Sequence, residues 1–331
     1  MADPQIPPPS LPEADDDDND SSLGLELASS TTSIGSSILK YREENGRTYH
    51  AYKDGVYNFP NDEPEKDRLD LQHHQFTLTF KGKLCTAPIA TEKKLHRALD
   101  VGTGTGIWAI DFADEHPETA VIGVDLSPIQ PVHIPPNLTF QVDDVEEPWT
   151  YQEKFDFIYS RMMIGSFANV PRFIEQAFNN LSPGGYLEMV DLSYPIKTID
   201  NTFPENSALS KWSDLFMEAC EKVGRSATCA QLYKEQMIAA GFTNVVETKY
   251  IWPSNRWPKD KKLKDLGMWQ LENLSGGLEA ITAALWTRVL GWTKEETDVM
   301  IAQVRNELKD TKIHSYWDIY VVYGEKPQSI A

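Results

Sequence analysis

Three glycines at G-x-G-x-G spacing, with carboxylates before and after them, are the residues of this sequence best suited to hold a ligand. The segment reads Leu99-Asp100-Val101-Gly102-Thr103-Gly104-Thr105-Gly106. Glycine lets the backbone take positive φ and approach a ligand closely. A helix beginning there also points unpaired N–H groups out of its first turn. Asp100 stands two positions before the first glycine, where it would repel a pyrophosphate but can hold an ammonium, directly or through water. Asp125 ends the next apolar run, nineteen positions after Gly106, where a carboxylate can accept from both hydroxyls of a ribose. Asp143 and Asp144 close a third run. One of them could accept from an adenine amino group; Asp144 is the choice, because Asp143 can point toward a sheet.

The spacing differs from the G-x-G-x-x-G of dinucleotide binders, and ribose binding alone is shared with NAD proteins. An ammonium, a ribose and an adenine without phosphate are the recognisable groups of S-adenosylmethionine (SAM). The acidic residues also have bland alternatives as surface or helix-capping carboxylates.

Elements that could position these residues follow from the pattern. From Arg97 onward, short apolar runs at 98–101, 120–125, 138–142, 155–160 and 185–192 alternate with helical patterns at 107–116 and 170–181. Strands alternating with helices imply a parallel sheet covered on both faces. Further helices are expected at 208–224 and 227–242, further strands at 244–252 and 316–326, and a largely helical insertion at about 253–310. The expected fold class is α/β: a Rossmann-like, mostly parallel seven-stranded sheet flanked by helices, with helical additions in the N-terminal segment and the C-terminal half. Residues 38–95 read as a helical lid, with a helix from Glu63 to Phe80 capped by Asn61 or Asp62 and with Pro64 in its first turn. Residues 1–37, rich in Pro, Asp and Ser, read as a disordered acidic tail.

The formal net charge is −19, and eight acidic residues precede Lys40 with no Lys or Arg among them, which leaves −11 for the rest. An acidic body disfavours direct nucleic-acid binding. It suits a small-molecule methyl acceptor or a basic protein, and the tail is a candidate segment for protein partners. Three cysteines (Cys85, Cys220, Cys229) show no metal spacing, so no metal site is expected. The absence of an apolar leader or an 18-residue apolar run predicts a protein neither secreted nor membrane-spanning, in the cytoplasm or nucleus. The 9 Trp and 13 Tyr serve packing, or a pocket for a flat or apolar substrate. The same choice holds for Trp257, Trp269, Trp286 and Trp292 in the insertion.

LDVGTGTGIWAIDFA, VIGVDLSP, FDFIYSR and LSPGGYLEMVD, in that order, resemble the motifs of class I SAM-dependent methyltransferases over roughly Arg97 to Gly324. ENGRTYHAYKDGVYNFPNDEPEKDRLDLQHH, just upstream, looks like the signature of the fungal LaeA-type branch, associated with control of secondary metabolism or with tailoring enzymes of biosynthetic clusters. The resemblance implies SAM as cofactor, with Gly102, Gly104 and Gly106 along its methionine and ribose, Asp125 on the ribose and Asp144 near the adenine. Ser160 and Arg161 fall where that family's chain passes the sulfonium. Arg161 departs from the usual apolar or His residue there, and pairing with Asp100 or Glu188 is its alternative role. Methyl transfer mostly needs alignment and exclusion of water. If an oxygen nucleophile requires a base, His50, His73 and His74 are the candidates, with Tyr49 as an orienting group; at most one of the adjacent pair can face a cleft. Three functions compete: a small-molecule methyltransferase of secondary metabolism, a nuclear LaeA-like regulator acting through protein partners, and an NAD-dependent oxidoreductase. Asp100 and the glycine spacing disfavour the last.

Overall fold

A computed structural model describes residues 41–44, 46–49, 59–89 and 94–328. The chain first forms an antiparallel hairpin, β1 (Arg42–Glu44) with β2 (Arg47–Tyr49). The segment read as a helical lid thus holds a short hairpin ahead of its helix. Gly46 has φ +77, and Asn-Gly is a pair favoured in tight hairpin turns. Helix α1 (Glu63–Thr79) follows, and the Asp62 carboxylate caps it by accepting from the Glu65 amide. Arg47 donates to the same carboxylate at 2.5 and 2.7 Å, and the Asn61 amide donates to the Thr48 carbonyl. Hairpin and helix start are thus one unit.

Seven further strands make the central sheet: β3 (Arg97–Val101), β4 (Ala120–Asp125), β5 (Leu138–Val142), β6 (Phe155–Arg161), β7 (Leu181–Thr198), β8 (Thr243–Pro253) and β9 (Ser315–Glu325). Their order is β5-β4-β3-β6-β7-β9-β8. All pairings among β3 to β7 are parallel, and β9 alone runs antiparallel to its neighbours β7 and β8. The chain leaves β3 toward β4 on one side and returns to β6 on the other. Such a reversal opens a crevice at the carboxyl ends of the strands.

Helix α2 (Ile107–Glu115) connects β3 to β4, and α3 (Val170–Asn180) connects β6 to β7. After β7 come α4 (Ala208–Lys222), a 3-10 turn (Cys229–Leu232) and the short α5 (Tyr233–Ala239). One long helix was expected over 227–242; the structure splits it. The insertion between β8 and β9 consists of α6 (Lys261–Leu285), a π turn (Trp286–Leu290) and α7 (Lys294–Lys309). Helix α6 packs on α1 and on β8.

Alternation along the strands fills a core on each face of the sheet. Phe157 and Tyr159 of β6 join Trp108 and Phe112 of α2; Ile158 joins Phe173 and Tyr233. Helix α1 is unusual in burying polar residues: Glu65, Gln72, His73, Gln75 and Thr79 accompany Phe76. Buried polar groups cost free energy unless paired, and most of these find partners. No helix among the described residues is long and apolar enough to cross a membrane.

Candidate active site

The crevice at the carboxyl ends of β3, β4, β5 and β6 is a cleft of about 1020 Å³, counted to its open mouth. Its floor is the turn from β3 into α2. Gly102, Gly104 and Gly106 have φ of +71, +57 and +81. At Gly102 a side chain is excluded twice: by this φ, and because a Cβ would lie 2.2 Å from the Met163 sulfur. The turn is fastened to β4, since the Gly102 and Thr103 amides donate to the Val124 carbonyl.

Acids ring this floor. Asp100 is buried and accepts from the Thr103 hydroxyl at 2.5 Å. Burial pushes its carboxyl up to about 6, opposed by the Thr103 hydrogen bond and then by the Arg161 guanidinium. At neutral pH it is a carboxylate in need of a cation. Asp125 accepts from the Gly104 amide at 2.9 Å through one oxygen and from the Ser127 amide at 2.9 Å through the other. Asp143 accepts from the Asp144 amide, and Asp144 from the Glu146 amide; both line the cleft. Each carboxylate oxygen has more than one lone-pair site, so these backbone bonds fix orientation while leaving acceptor capacity.

Helix α1 closes one wall. The Thr105 hydroxyl donates to Asp70 at 2.7 Å, and a Cβ on Gly104 would touch Leu69 at 3.4 Å. One turn on, His73 bridges Asp111 of α2 at 2.9 Å through Nε2 and Arg161 at 3.1 Å through Nδ1. Because the guanidinium can only donate, Nδ1 accepts and Nε2–H faces Asp111. Burial, with help from the Arg161 charge and then from His74, holds His73 down to about 3. Arg161 also lies over the Phe76 ring at 4.9 Å.

The residues singled out from the sequence divide accordingly. Asp100, Gly102, Gly104, Asp125, Asp143, Asp144 and Arg161 line the cleft. Gly106 and Ser160 do not. Gly106 stands behind it, where a Cβ would strike Phe140, and Ser160 is fully buried with its hydroxyl unpartnered among the described residues. His73 is no free base: both ring nitrogens are engaged and protonation is suppressed. His74 is exposed and rests edge-on against Trp269. His50 lies outside the described residues. Tyr49 is buried beneath the Arg288 guanidinium, away from the cleft lining. Arg161 pairs with His73, not with Asp100 or Glu188, the carboxylates of its alternative role. Its charge reaches Asp100 through space, whereas Glu188 is buried and accepts from the Thr86 and Ala87 amides. Among the described residues no cluster of His, Cys, Asp or Glu gathers as a metal site.

Sequence reasoning missed Leu69, Gln72, Trp108, Met162, Met163 and Glu146, which also line the cleft. Trp108 could have been found from its position two residues after Gly106. Gln72 could not, because nothing local reveals which face of α1 meets the glycine turn.

Comparison with known proteins identifies the lineage. The methyltransferase domain family matches residues 71–247, over half the chain. This chain belongs to that family. The methyltransferase is 41% identical to methyltransferase pytC of Aspergillus terreus over 304 residues, covering 92% of this chain and 93% of the relative. It is 40% identical to the secondary metabolism regulator LAE1 of Cochliobolus heterostrophus, covering 86% and 94%. It is also 34% identical to the protein-methionine methyltransferase laeA of Emericella nidulans, covering 87% and 77%. The fold and the family are therefore those of a class I methyltransferase of LaeA type. The matched residues include β3, the glycine turn and α2.

Proposed function

We propose that this enzyme transfers a methyl group from SAM to a small molecule of secondary metabolism. The observation that carries the reading is the set of hydrogen-bond acceptors in the cleft. Carboxylates from three adjacent strand ends surround a positive-φ glycine turn, and Arg161 is the lone Lys or Arg among the described lining residues. A phosphate-bearing cofactor would face repulsion from Asp100, Asp125, Asp143 and Asp144. A ligand bearing an ammonium, ribose hydroxyls and an adenine amine meets acceptors throughout. The glycine turn also fits such a ligand, because its positive φ angles put bare backbone at the floor of the cleft.

In this reading Asp100 holds the ammonium, Asp125 the ribose hydroxyls and Asp144 the adenine amine. Gly102 and Gly104 allow close backbone approach, and Arg161 flanks the reacting end. SAM, when bound, would supply an electrophilic methyl on its sulfonium for displacement by the acceptor's lone pair, with the carbon–sulfur electron pair retained by the leaving sulfur. The chain's own contribution is orientation, burial and exclusion of water by α1.

Similarity to methyltransferase pytC supports catalytic methyl transfer. Similarity to LAE1 and to laeA favours a second reading, in which a LaeA-like nuclear regulator works through protein partners. The acidic tail that would recruit them lies outside the described residues. Incubation of the purified enzyme with methyl-labelled SAM and an organic extract from a gene-deleted strain separates the two. Label in an organic-soluble product is expected. Label confined to protein would transfer the assignment to the second reading.

A further inference from the structure

A second cavity of about 680 Å³ adjoins the cofactor cleft, and Leu69, Gln72 and Met162 line both. It lies between α1, α6 and the strand ends of β7, β8 and β9. Its walls are largely aromatic and aliphatic: Trp252, Trp317, Phe216, Tyr194 and Leu274. None of the insertion tryptophans named from the sequence is among them.

The charge of this cavity restricts what can enter. Arg68 is the charged residue among its described lining, and its guanidinium donates twice to Glu65, at 2.7 and 2.9 Å, and once to Asn273 at 2.9 Å. An anionic guest would compete with Glu65. A cationic guest would find no carboxylate in the lining. Tyr194, the other group there that could titrate, has its phenol pushed far above the ordinary range by burial. The cavity therefore suits a neutral molecule.

Two polar groups point to how that molecule is held. Gln72 is 5% exposed and sits at the junction of the cavities, and its side-chain amide has no hydrogen-bond partner among the described residues. Gln270 is 3% exposed. Its amide oxygen accepts from Gln75 and from Asn273, and its amide nitrogen has no partner among the described residues. Both amides line the cavity, where a guest could exchange hydrogen bonds with them. Met162 adds a third sign. It is a non-glycine residue at φ +56, and strained backbone of this kind collects at ligand sites.

We propose that the second cavity binds the methyl acceptor as a neutral, ring-containing molecule, oriented by the Gln72 amide at the junction and by the Gln270 amide nitrogen along the wall. The assignment rests on the methyl-transfer reading and adds the chemical class of the substrate. Gln72 is the positioning residue. It presents the acceptor's nucleophilic atom toward the cofactor cleft, and aromatic faces hold the ring.

Three probes of one shape test it: naphthol, naphthoate and naphthylmethylammonium, titrated into the full chain and followed by tryptophan fluorescence and calorimetry. Naphthol is expected to bind and the two charged analogues to bind about tenfold or more weakly, since the cation would be buried without a counter-ion and the anion would have to displace Glu65 from Arg68. Ile281→Trp, which fills the cavity from α6, should abolish naphthol binding. Gln72→Leu should weaken it about threefold to tenfold, the loss of one hydrogen bond. Thermal melting establishes that both variants are folded, and Leu274→Trp replaces Ile281→Trp if that one is not. S-adenosylhomocysteine is titrated in parallel. Its failure to bind the wild-type chain would remove the methyl-transfer reading. Binding of S-adenosylhomocysteine with no naphthol binding, with equal binding of the charged analogues, or with naphthol binding intact in the filled variant would overturn the cavity assignment alone.

Discussion

Replacing His73 with Gln tests whether this histidine is a buried, neutral bridge. A glutamine can still accept from Arg161 and donate to Asp111, the two contacts His73 makes at 3.1 and 2.9 Å, but it cannot titrate. In the folded wild-type protein His73 is held down to about 3 from an ordinary 6.5. A base whose folded pKa is lowered contributes stability above its unfolded pKa and loses it as pH falls toward the folded value, because the unfolded chain binds the proton first. The wild type should thus lose stability relative to His73→Gln from pH 6.5 downward, by about 1.4 kcal/mol per pH unit. At pH 5 the difference reaches about 2 kcal/mol, or about 3–5 °C in Tm for a chain of this size. Urea titrations of both proteins at pH 7.5, 6 and 5 provide the assay, and the difference between them cancels the groups they share. Parallel pH dependence, or a His73 resonance titrating near 6.5, would refute the reasoning.

Other perturbations follow from the same geometry. Gly102→Ala places a Cβ against the Met163 sulfur at a φ of +71; about 1–3 kcal/mol of stability should be lost, with S-adenosylhomocysteine affinity falling as Met163 is driven into the cleft, both read by melting and calorimetry. Thr105→Val removes the hydroxyl that ties the glycine turn to Asp70 of α1, and amide exchange within α1 should accelerate while the central strands stay protected. The carboxyl of Asp100, raised to about 6, must be ionised to hold an ammonium. S-adenosylhomocysteine binding should therefore weaken by up to about tenfold per pH unit below 6, a slope that Asp100→Asn should flatten.

The parts of this protein legible in its sequence are those where backbone physics leaves few choices. Gly102, Gly104 and Gly106 announce a positive-φ turn, and Asp125 at the end of a buried strand announces a carboxylate at the sheet's rim. The alternation from Arg97 onward suffices for a seven-stranded sheet, although β7 runs on to Thr198, beyond the expected 185–192. What stayed hidden depends on docking. Helix α1 was foreseen, but its buried face is polar and its partners are distant: Gln270 from Gln75, Asn273 from Arg68, Arg161 from His73. A hydrophobic pattern cannot report such a face, so histidines on it looked like free bases. Asn45-Gly46 is a hairpin-turn dipeptide in the sequence, but strands of three residues each are too short to show a period-two pattern. The second cavity draws its walls from α1, β7, β8, α6 and β9, elements far apart in sequence, and no local motif marks it.

The central claim is that the ring of acids at the strand ends holds SAM. Calorimetric titration of the purified chain with SAM, S-adenosylhomocysteine and NADH, alongside Asp125→Ala, tests it most directly. The account predicts micromolar binding of both sulfur ligands, weakened by about 1–3 kcal/mol in the variant through the lost ribose hydrogen bonds, and no binding of NADH. A folded wild-type chain that bound NADH and neither sulfur ligand would contradict it.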